Sequence, residues 1–244
     1  MPRHSYTYKA LNRSAGKAMH RYNMISEGDR IAVGLSGGKD SLAMMWVLKE
    51  RQHRIPVNYE LFAVYIDPGF KGGFSRQLEK YCRKIGFNLR IDHTDHGVLA
   101  HSMENRENPC FLCSRLRRKR LFKIMEELGC NKLALGHNKD DIIETLFLNM
   151  CYAGEISTMV PCQPFFQGRF KIIRPMAFVD ENTIKRFTFE EKLPVFVNPC
   201  PSAKTSKRQE IKALLERLYS SNKKIKGNIF HAMSHIKTEY MLEA

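Results

Sequence analysis

A glycine turn between an apolar run and an amphipathic segment constrains the fold of this chain more than any other feature. The run from Ile31 to Leu35 is typical of a strand buried on both faces, and the apolar spacing from Leu42 to Lys49 predicts a helix. A strand, a tight turn and a helix in this order indicate an α/β protein. The turn between them reads Ser36-Gly37-Gly38-Lys39-Asp40-Ser41.

The same alternation continues along the chain. Four more apolar runs predict strands, which span 61–66, 88–91, 132–136 and 171–173. Right-handed crossovers between such strands give a parallel sheet with helices on both faces. Because ligands bind beyond the carboxyl ends of parallel strands, we expect the loops at Ser36 and Gly136 to share one edge of the sheet. We predict a helical lead-in over 1–28, an α/β domain over 29–200 and a basic helical segment over 201–244.

The turn has the chemistry of a phosphate-binding loop. Two glycines let the backbone bend so that its N–H groups approach an anion, and the helix behind adds free N–H groups and the positive end of its dipole. Ser36 and Ser41 offer hydrogen bonds, Lys39 a charge and Asp40 a ligand for Mg²⁺. The spacing matches neither a Walker A loop nor the glycine pattern of dinucleotide folds. The alternative is a glycine turn that only ends a strand.

An excess of positive charge indicates a polyanionic partner. The 244 residues include 40 Lys and Arg against 25 Asp and Glu, a formal net charge of +15, with clusters within 115–120, 204–208 and 223–226. Nucleic acid is the commonest partner of such clusters, and a generically basic protein is the alternative. We find no apolar run of membrane-spanning length and no secretory signal, so we expect a cytoplasmic protein that contacts no membrane.

Seven cysteines without an export signal predict reduced thiols rather than disulfides. Cys110 and Cys113 form a Cys-x-x-Cys element, which holds zinc, holds an iron–sulfur cluster or carries out dithiol chemistry. A third cysteine from a distant loop would complete a cluster site with one iron left open. Cys200, between two prolines, and Cys162 are both candidates for it. We interpret the other three as core thiols: Cys82, Cys130 and Cys151.

The glycine turn resembles the PP-loop of ATP pyrophosphatases, because it matches their Ser-Gly-Gly-x-Asp-Ser pattern throughout. The resemblance implies an adenine-nucleotide alpha-hydrolase-like fold and cleavage of ATP to AMP and pyrophosphate. The stretch from Leu135 to Asp141 looks like the second signature of the tRNA-modifying members, whose histidine and acidic residues face the nucleotide and its metal. Alternatively, Asp140 and Asp141 only cap a helix. The residues expected to bind ATP are Ser36, Gly37, Gly38, Lys39, Asp40, Ser41, Gly136, His137 and Asp141.

Further motifs resemble the TtcA-type tRNA 2-thiocytidine synthetases, over most of the chain from Gly16 to Leu218. They are Gly16-Lys17-Ala18, Asn23-Met24-Ile25 ahead of Gly28-Asp29-Arg30, Cys110-x-x-Cys113-Ser114-Arg115-Leu116-Arg117-Arg118, and Arg174-Pro175-Met176. The resemblance implies ATP, Mg²⁺, tRNA, a sulfur donor such as a cysteine desulfurase, and a [4Fe-4S] cluster on Cys110, Cys113 and Cys200. The chain departs from the pattern because it lacks the second cysteine that some members carry near Cys200. It also lacks an N-terminal zinc-binding Cys-x-x-Cys.

The hypothesis that follows is ATP-dependent, cluster-dependent thiolation of tRNA. A pyrimidine C2 oxygen, expected to be that of cytidine 32 in the anticodon loop, attacks the α-phosphorus of ATP, and sulfide from the open iron then displaces AMP. The residues with expected catalytic roles are Lys39, Asp40 and Cys200. Phosphate contacts with RNA are expected from Arg115, Arg117, Arg118, Lys204, Lys207 and Arg208.

Two rival functions and two details stay open in the sequence. One rival is a PP-loop tRNA ligase or amidotransferase without sulfur chemistry, and the other is a non-catalytic iron–sulfur protein that binds RNA. An aromatic ring that stacks on the target base could come from Phe70, Tyr81 or Phe111, although each is more often a core residue. A homodimer is also left open.

Overall fold

Six strands form a single sheet within the residues that the structure describes. The structure is a computed structural model, and it describes residues 5–197, 199–204 and 207–242. The strand order is β3-β2-β1-β4-β6-β5, and every pair is parallel except β5 with β6. The strands are β1 (Asp29–Leu35), β2 (Tyr59–Asp67), β3 (Leu89–His93), β4 (Lys132–Leu135), β5 (Cys162–Phe165) and β6 (Phe170–Ile173).

Nine α-helices accompany the strands in this described part of the chain. They are α1 (Tyr6–Arg21), α2 (Lys39–Gln52), α3 (Ser75–Lys84), α4 (His96–Ala100), α5 (Pro109–Glu127), α6 (Lys139–Leu148), α7 (Glu181–Glu190), α8 (Lys207–Ser221) and α9 (Ile225–Ala232). A π-helical turn spans Asn149–Ala153, and 3-10 turns span Pro201–Lys204 and Thr238–Tyr240. None of the described helices combines the length and apolarity that crossing a bilayer requires.

Helices pack on both faces of the sheet. On one face, α5 buries Leu121, Ile124 and Met125 against apolar side chains of β1, β2, β4 and β6. On the other face, α2 packs against β1 and β2, where the alternate residues Ile31 and Val33 are buried. Strands covered on both sides read as near-continuous apolar runs, which made them visible in the sequence. The predicted α/β architecture with a largely parallel sheet is confirmed.

The chain divides into two compact units. The first comprises residues up to Asn138 together with Val160–Ala203 and contains the sheet. The second comprises Lys139–Met159 and the residues from Lys204 onward. The first unit has 30 of the 40 Lys and Arg and 17 of the 25 Asp and Glu, a formal net charge of +13, whereas the second has +2. Most of the excess positive charge therefore belongs to the sheet-containing unit. The boundaries expected after residues 28 and 200 stay predictions.

The second unit is a helical cluster with internal ion pairs. Lys226 pairs with Asp140 at 2.6 Å. Arg208 pairs with Asp141 at 3.2 Å and with Glu144 at 3.0 Å. Cations of the C-terminal segment thus pair with acids at the start of α6, in a unit whose basic and acidic residues nearly balance. Its buried centre consists of Ile143, Ile211 and Leu215.

Two elements differ from the expectations. The stretch from His93 to Pro109 is polar and carries a proline, which is typical of a loop, yet it contains α4, and α5 already begins at Pro109. Strand β5 was not expected, because Pro164 argues against a strand; it is tolerated there because β5 is an antiparallel edge strand.

One cysteine was placed wrongly. Cys151 was expected in the core but is exposed, and the neighbouring Met150 is 46% exposed. The π-helical turn Asn149–Ala153 gives the physical reason, because a wider turn rotates the following side chains away from the face that a regular α-helix would bury.

A buried ion pair between β1 and β4 gives a stability prediction. The Lys132 ammonium donates to the Asp29 carboxylate, and both side chains are 5% exposed. Asp29 also accepts hydrogen bonds from the Ser26 N–H at 2.6 Å and from Asn131 Nδ2 at 2.8 Å. A Lys132→Met variant leaves this carboxylate buried without its cation. We expect it to lower the free energy of unfolding by about 3–5 kcal/mol, measured by urea denaturation.

The matched control is an exposed ion pair between β1 and the strand on its other side, β2. Arg30 and Glu60 lie 2.7 Å apart with 40% and 60% of their side chains exposed. We expect Glu60→Gln to change the free energy of unfolding by less than about 1 kcal/mol, since water screens such pairs. If Lys132→Met and Glu60→Gln lower the free energy of unfolding equally, burial of the Lys132–Asp29 pair is not what makes its loss costly.

Candidate active site

The loops after β1 and β4 meet where the strand order of the sheet reverses. β1 pairs with β2 on one side and with β4 on the other, where Gly34 lies opposite Leu135. Connections leave such neighbouring strands in opposite directions, which opens a crevice at their carboxyl ends. A Cβ on Gly136 would lie 2.9 Å from the Ser41 nitrogen, so the two loops approach too closely for a side chain there. The shared sheet edge expected for Ser36 and Gly136 is confirmed.

The loop after β1 is closed by its two serines. The Ser36 N–H and the Ser36 hydroxyl each donate to the Ser41 Oγ at 3.2 Å, and the Ser41 hydroxyl donates to the Gly38 carbonyl at 2.9 Å. Gly37 has a φ of +77°, a region that favours glycine. Helix α2 begins directly after Gly38. The N–H groups of its first turn have no partner within the helix and are donors suited to an anion.

Lys39 is held between two carboxylates. Its Nζ lies 3.0 Å from Asp40 Oδ2 and 3.0 Å from Glu181 Oε1. Burial opposes the charge of Lys39, but Asp40 and Glu181 outweigh burial and raise the pKa of Lys39 above its ordinary value. The Asn138 amide donates to the other Asp40 oxygen at 3.1 Å. Lys39 is therefore a charged group that an incoming phosphate can draw away from its carboxylates.

A covering segment, residues 193–197, lies against the loop Ser36–Ser41, which we call the phosphate loop. The Phe196 N–H donates to the Gly37 carbonyl at 3.0 Å, and the Phe196 ring stacks on Phe74 with centroids 5.0 Å apart. A Cβ on Gly37 would lie 2.3 Å from the Phe74 ring. The loop is thus packed with no room for a side chain at position 37. Four residues after Phe196, the same stretch of chain contributes Cys200.

Cys110 and Cys113 lie in the first turn of α5. The Asn108 side chain caps this helix by accepting hydrogen bonds from the N–H groups of Cys110, at 3.0 Å, and Phe111, at 3.3 Å. Pro109 occupies the first helical position, where its missing N–H costs nothing. The cap and the proline together place both thiols at one helix end.

Three cysteines share one pocket. The Ser202 Oγ lies 3.5 Å from Cys110 Sγ and 3.4 Å from Cys200 Sγ. Burial raises the pKa of the Cys113 thiol; Arg117 opposes this shift, whereas Cys200 and Cys110 add to it. Cys113 is therefore close enough to both other thiols to interact with them electrostatically.

The set of three thiols suits an iron–sulfur cluster better than a single zinc ion. Within the described residues, no group of three His, Cys, Asp or Glu side chains is arranged to hold one metal ion. Structural zinc sites close a tetrahedron with four protein ligands, whereas three cysteines come together here. Iron–sulfur clusters are held by cysteine thiolates. The donor set fits such a cluster.

The remaining cysteines of the sheet-containing unit lie elsewhere. Cys82 and Cys130 are buried, as expected, and burial raises the pKa of each thiol to about 11. Cys162 lies on β5 opposite Ile173 and acts electrostatically on the buried Arg174. The groups that act on Cys113 include Cys200 and Cys110 but not Cys162.

Helix α5 exposes cations and an aromatic ring beside the cysteines. Arg115 pairs with Glu107 at 3.0 Å, and its guanidinium lies 5.5 Å from the centroid of the Phe111 ring. Phe111 is 59% exposed, whereas Phe70 and Tyr81 are half-buried. Three further cations of this helix are exposed and form no ion pair within the described residues: Arg117, Arg118 and Lys119.

His137 belongs to the sheet-containing unit, whereas Asp141 and the other residues expected to bind RNA belong to the second unit. Lys207 is exposed and pairs with Glu210 at 3.0 Å, whereas Arg208 pairs with Asp141, the acid expected to face the nucleotide. The side chain of Lys204 lies outside the described residues. Arg208 and Asp141 are therefore bound to each other in this structure.

Comparisons with known proteins decide the family. A family model described as a PP-loop domain matches residues 8–218. The tRNA-cytidine(32) 2-sulfurtransferase of Geobacter sulfurreducens is 37% identical over 97% of this chain and 93% of that protein. The one of Alcanivorax borkumensis is 41% identical over 93% of this chain and 81% of that protein. The chain belongs to the PP-loop family of tRNA-cytidine(32) 2-sulfurtransferases.

Solved structures place this PP-loop family member among similar folds. The U34-tRNA thiolase NcsA from Methanococcus maripaludis, with its [4Fe-4S] cluster, has a TM-score of 0.79 and 27% identity, and covers 97% of this chain and 80% of that one. An NH3-dependent NAD synthetase from Campylobacter jejuni, with a TM-score of 0.53 and 14% identity, shares the fold alone. The adenine-nucleotide alpha-hydrolase-like fold is confirmed for this PP-loop family member.

Four side chains of this PP-loop family member were not singled out in the sequence. Asn138 stands inside the second signature but had no assigned role, and its bond to Asp40 supplies one. Glu181 lies far along the chain from its partner Lys39, and no local pattern connects them. His101 and Ser202 line the cysteine pocket and belong to no motif. Only the tertiary fold brings these groups together.

Proposed function

We propose that this chain is an ATP-dependent thiolase that replaces the C2 oxygen of a tRNA cytidine by sulfur. The observation that supports this proposal most strongly is that Cys110, Cys113 and Cys200 come together in the unit that contains the phosphate loop. This arrangement combines nucleotide chemistry with sulfur chemistry. Cytidine 32 is favoured as the target because the relatives named for it are 37% and 41% identical, whereas NcsA, named for U34, is 27% identical.

The first step activates the base with ATP. The C2 oxygen attacks the α-phosphorus, a phosphorus–oxygen bond forms, and pyrophosphate leaves. N–H groups of the Ser36–Ser41 loop and of the first turn of α2 bind the phosphates. Lys39 exchanges Glu181 for the triphosphate and stabilises the charge that develops on the leaving group. Asp40, oriented by Asn138, is the proposed ligand for Mg²⁺.

The second step exchanges oxygen for sulfur. Sulfide adds at C2, and AMP leaves with the former C2 oxygen. A [4Fe-4S] cluster held by Cys110, Cys113 and Cys200 would supply an iron position that can carry sulfide. Cys113 and Cys200 are partly buried, whereas Cys110 is exposed and open to an incoming substrate. The sulfur itself comes from a donor such as a cysteine desulfurase, and a two-electron reductant such as a thiol converts the persulfide sulfur of that donor to sulfide.

Helix α5 is the main proposed contact for tRNA. Arg115, Arg117 and Arg118 lie directly after the two cysteines and can hold phosphates there, while Lys204, Lys207 and Arg208 stay proposed contacts of the second unit. Such contacts give affinity and salt dependence rather than base choice. A tRNA substrate also favours a cytoplasmic location. For the oligomeric state we propose a homodimer, which light scattering can test.

Nucleoside mass spectrometry of tRNA tests the function. We expect 2-thiocytidine to disappear from cells that lack this chain and to return when it is restored. Anaerobically purified protein should be brown and should release AMP only with tRNA present. AMP release by an iron-free protein would favour a ligase or amidotransferase. A brown protein that binds RNA without releasing AMP would favour a non-catalytic role.

Phe111 gives a prediction for substrate binding. An exposed ring between two proposed cluster ligands can stack on an unstacked base, and such stacking contributes about 1–3 kcal/mol per base. We therefore expect Phe111→Ala to weaken tRNA binding about tenfold in a filter-binding assay, and Phe111→Trp to retain it. The control is Tyr6→Ala, an 86% exposed aromatic on α1, which packs against α7. Equal weakening by the two alanine variants would contradict a specific stacking role.

A further inference from the structure

Two side chains that belong to no motif complete the three-cysteine pocket. The Ser202 hydroxyl stands between Cys110 Sγ, at 3.5 Å, and Cys200 Sγ, at 3.4 Å. His101 Nε2 lies 2.8 Å from the same hydroxyl and 3.9 Å from Cys200 Sγ. One hydroxyl thus connects the start of α5, the end of α4 and the turn that carries Cys200.

The imidazole of His101 is fixed in one orientation. Its Nδ1 lies 2.8 Å from the Gly97 carbonyl, and because a carbonyl oxygen only accepts, we assign the ring hydrogen to Nδ1. Nε2 then accepts the hydrogen of the Ser202 hydroxyl. The Phe70 ring packs edge-on against the imidazole, with centroids 5.4 Å apart. A Cβ on Gly97 would lie 2.5 Å from that Phe70 ring, so glycine makes room for this support.

This orientation decides what Ser202 offers to the cysteines. The hydroxyl oxygen has two lone pairs, and with its hydrogen directed at His101 both lone pairs can accept from the thiols of Cys110 and Cys200. Ser202 therefore sets the separation of two sulfurs that come from distant parts of the sequence. Groups that orient metal-binding side chains in this way are a general requirement of metal sites.

We propose that His101 and Ser202 are positioning residues for an iron–sulfur group: His101 fixes the Ser202 hydroxyl, and that hydroxyl holds Cys200 opposite Cys110 and Cys113. The inference rests on the proposed function. Once the thiolates bind iron they only accept hydrogen bonds, so the one hydrogen of the Ser202 hydroxyl then turns from His101 Nε2 to one of the thiolates. Hydrogen bonds to cluster sulfurs raise the reduction potential.

Cluster stability and reduction potential test this inference without measuring activity. Wild-type protein, Ser202→Ala, His101→Ala and the double variant are reconstituted anaerobically with iron and sulfide. We expect each single variant to lose its absorbance to an iron chelator about tenfold faster than wild type. The midpoint potential, followed by electron paramagnetic resonance, should move to a more negative value for Ser202→Ala. Because His101 acts through Ser202, the double variant should lose iron no faster than Ser202→Ala.

Two further variants separate positioning from a general effect on folding. Ser202→Thr keeps the hydroxyl and should restore the wild-type rate of iron loss. Ser114→Ala is the matched control, because Ser114 adjoins Cys113 but its hydroxyl bonds to the Phe111 carbonyl at 2.9 Å. We expect that variant to match wild type.

The outcomes distinguish the inference from the function on which it rests. If Ser202→Ala keeps its cluster and potential as wild type does, or if Ser202→Thr loses iron as fast as Ser202→Ala, the positioning role is refuted and the thiolase proposal stands. If the wild-type protein takes up no cluster, the thiolase proposal fails and the positioning role fails with it.

Discussion

A Cys200→Ser variant is expected to lose its iron–sulfur absorbance and its thiolation activity while it still binds ATP. Serine has nearly the same size, but its hydroxyl does not replace a thiolate as an iron ligand, so two cysteines alone would have to hold the cluster. The phosphate loop keeps all its own residues in this variant. Iron content and absorbance measure the cluster, calorimetry with ATP and Mg²⁺ measures nucleotide binding, and nucleoside mass spectrometry measures the product.

Two other cysteines serve as controls for Cys200. Cys162 lies on the edge strand β5, and Cys151 is exposed in the second unit. We expect Cys162→Ser and Cys151→Ser to keep iron and activity. Loss of iron from Cys162→Ser together with its retention in Cys200→Ser would overturn the proposed ligand set and assign the third position to Cys162.

Replacing Gly37 by alanine should abolish detectable ATP binding. Its φ of +77° costs an L-residue about 1–2 kcal/mol, and the new methyl group would lie 2.3 Å from the Phe74 ring. Relief of this clash requires the loop or the Phe74–Phe196 stack to move. A displacement of about 1 Å in a positioned site can cost about a hundredfold in function. Calorimetry with ATP and Mg²⁺ measures the loss.

Gly28 is the matched control for this substitution. Its φ of +75° is nearly the same, but a Cβ there meets nothing within 4 Å. Gly28→Ala should therefore lower the melting temperature, because alanine is unfavourable at this φ, but its ATP affinity should stay close to that of the wild type. If Gly37→Ala and Gly28→Ala bind ATP equally well, the close packing around Gly37 is not what positions the phosphate loop.

The parts of the fold that were predictable are those in which burial leaves a local trace. β1, β2, β4 and β6 each bury consecutive apolar residues, and each was found as an apolar run. The phosphate loop was predictable for a different reason, because phosphate binding by backbone N–H groups needs glycines and a helix start in consecutive positions. The Cys110 and Cys113 pair was visible for the same reason, because its two residues are close together in the sequence.

Other elements left weaker or misleading traces. The start of α5 was missed although Asn108 followed by Pro109 is a recognisable helix start, because the polar residues before it favoured a loop. Cys151 was misplaced because a π-helical turn cannot be read from a 3.6-residue period. Contacts such as Lys39 with Glu181 and His101 with Ser202 join side chains far apart in the chain, so no pattern of spacing contains them.

The backbone between Phe196 and Cys200 works as a short tether. Phe196 is bonded to the carbonyl of Gly37, and a fully extended chain of four residues spans about 14 Å at most. The distance between Cys200 and the Ser36–Ser41 loop therefore has a fixed upper limit. In the proposed reaction, a base activated beside the Ser36–Ser41 loop would therefore meet sulfur near Cys200 without leaving the protein.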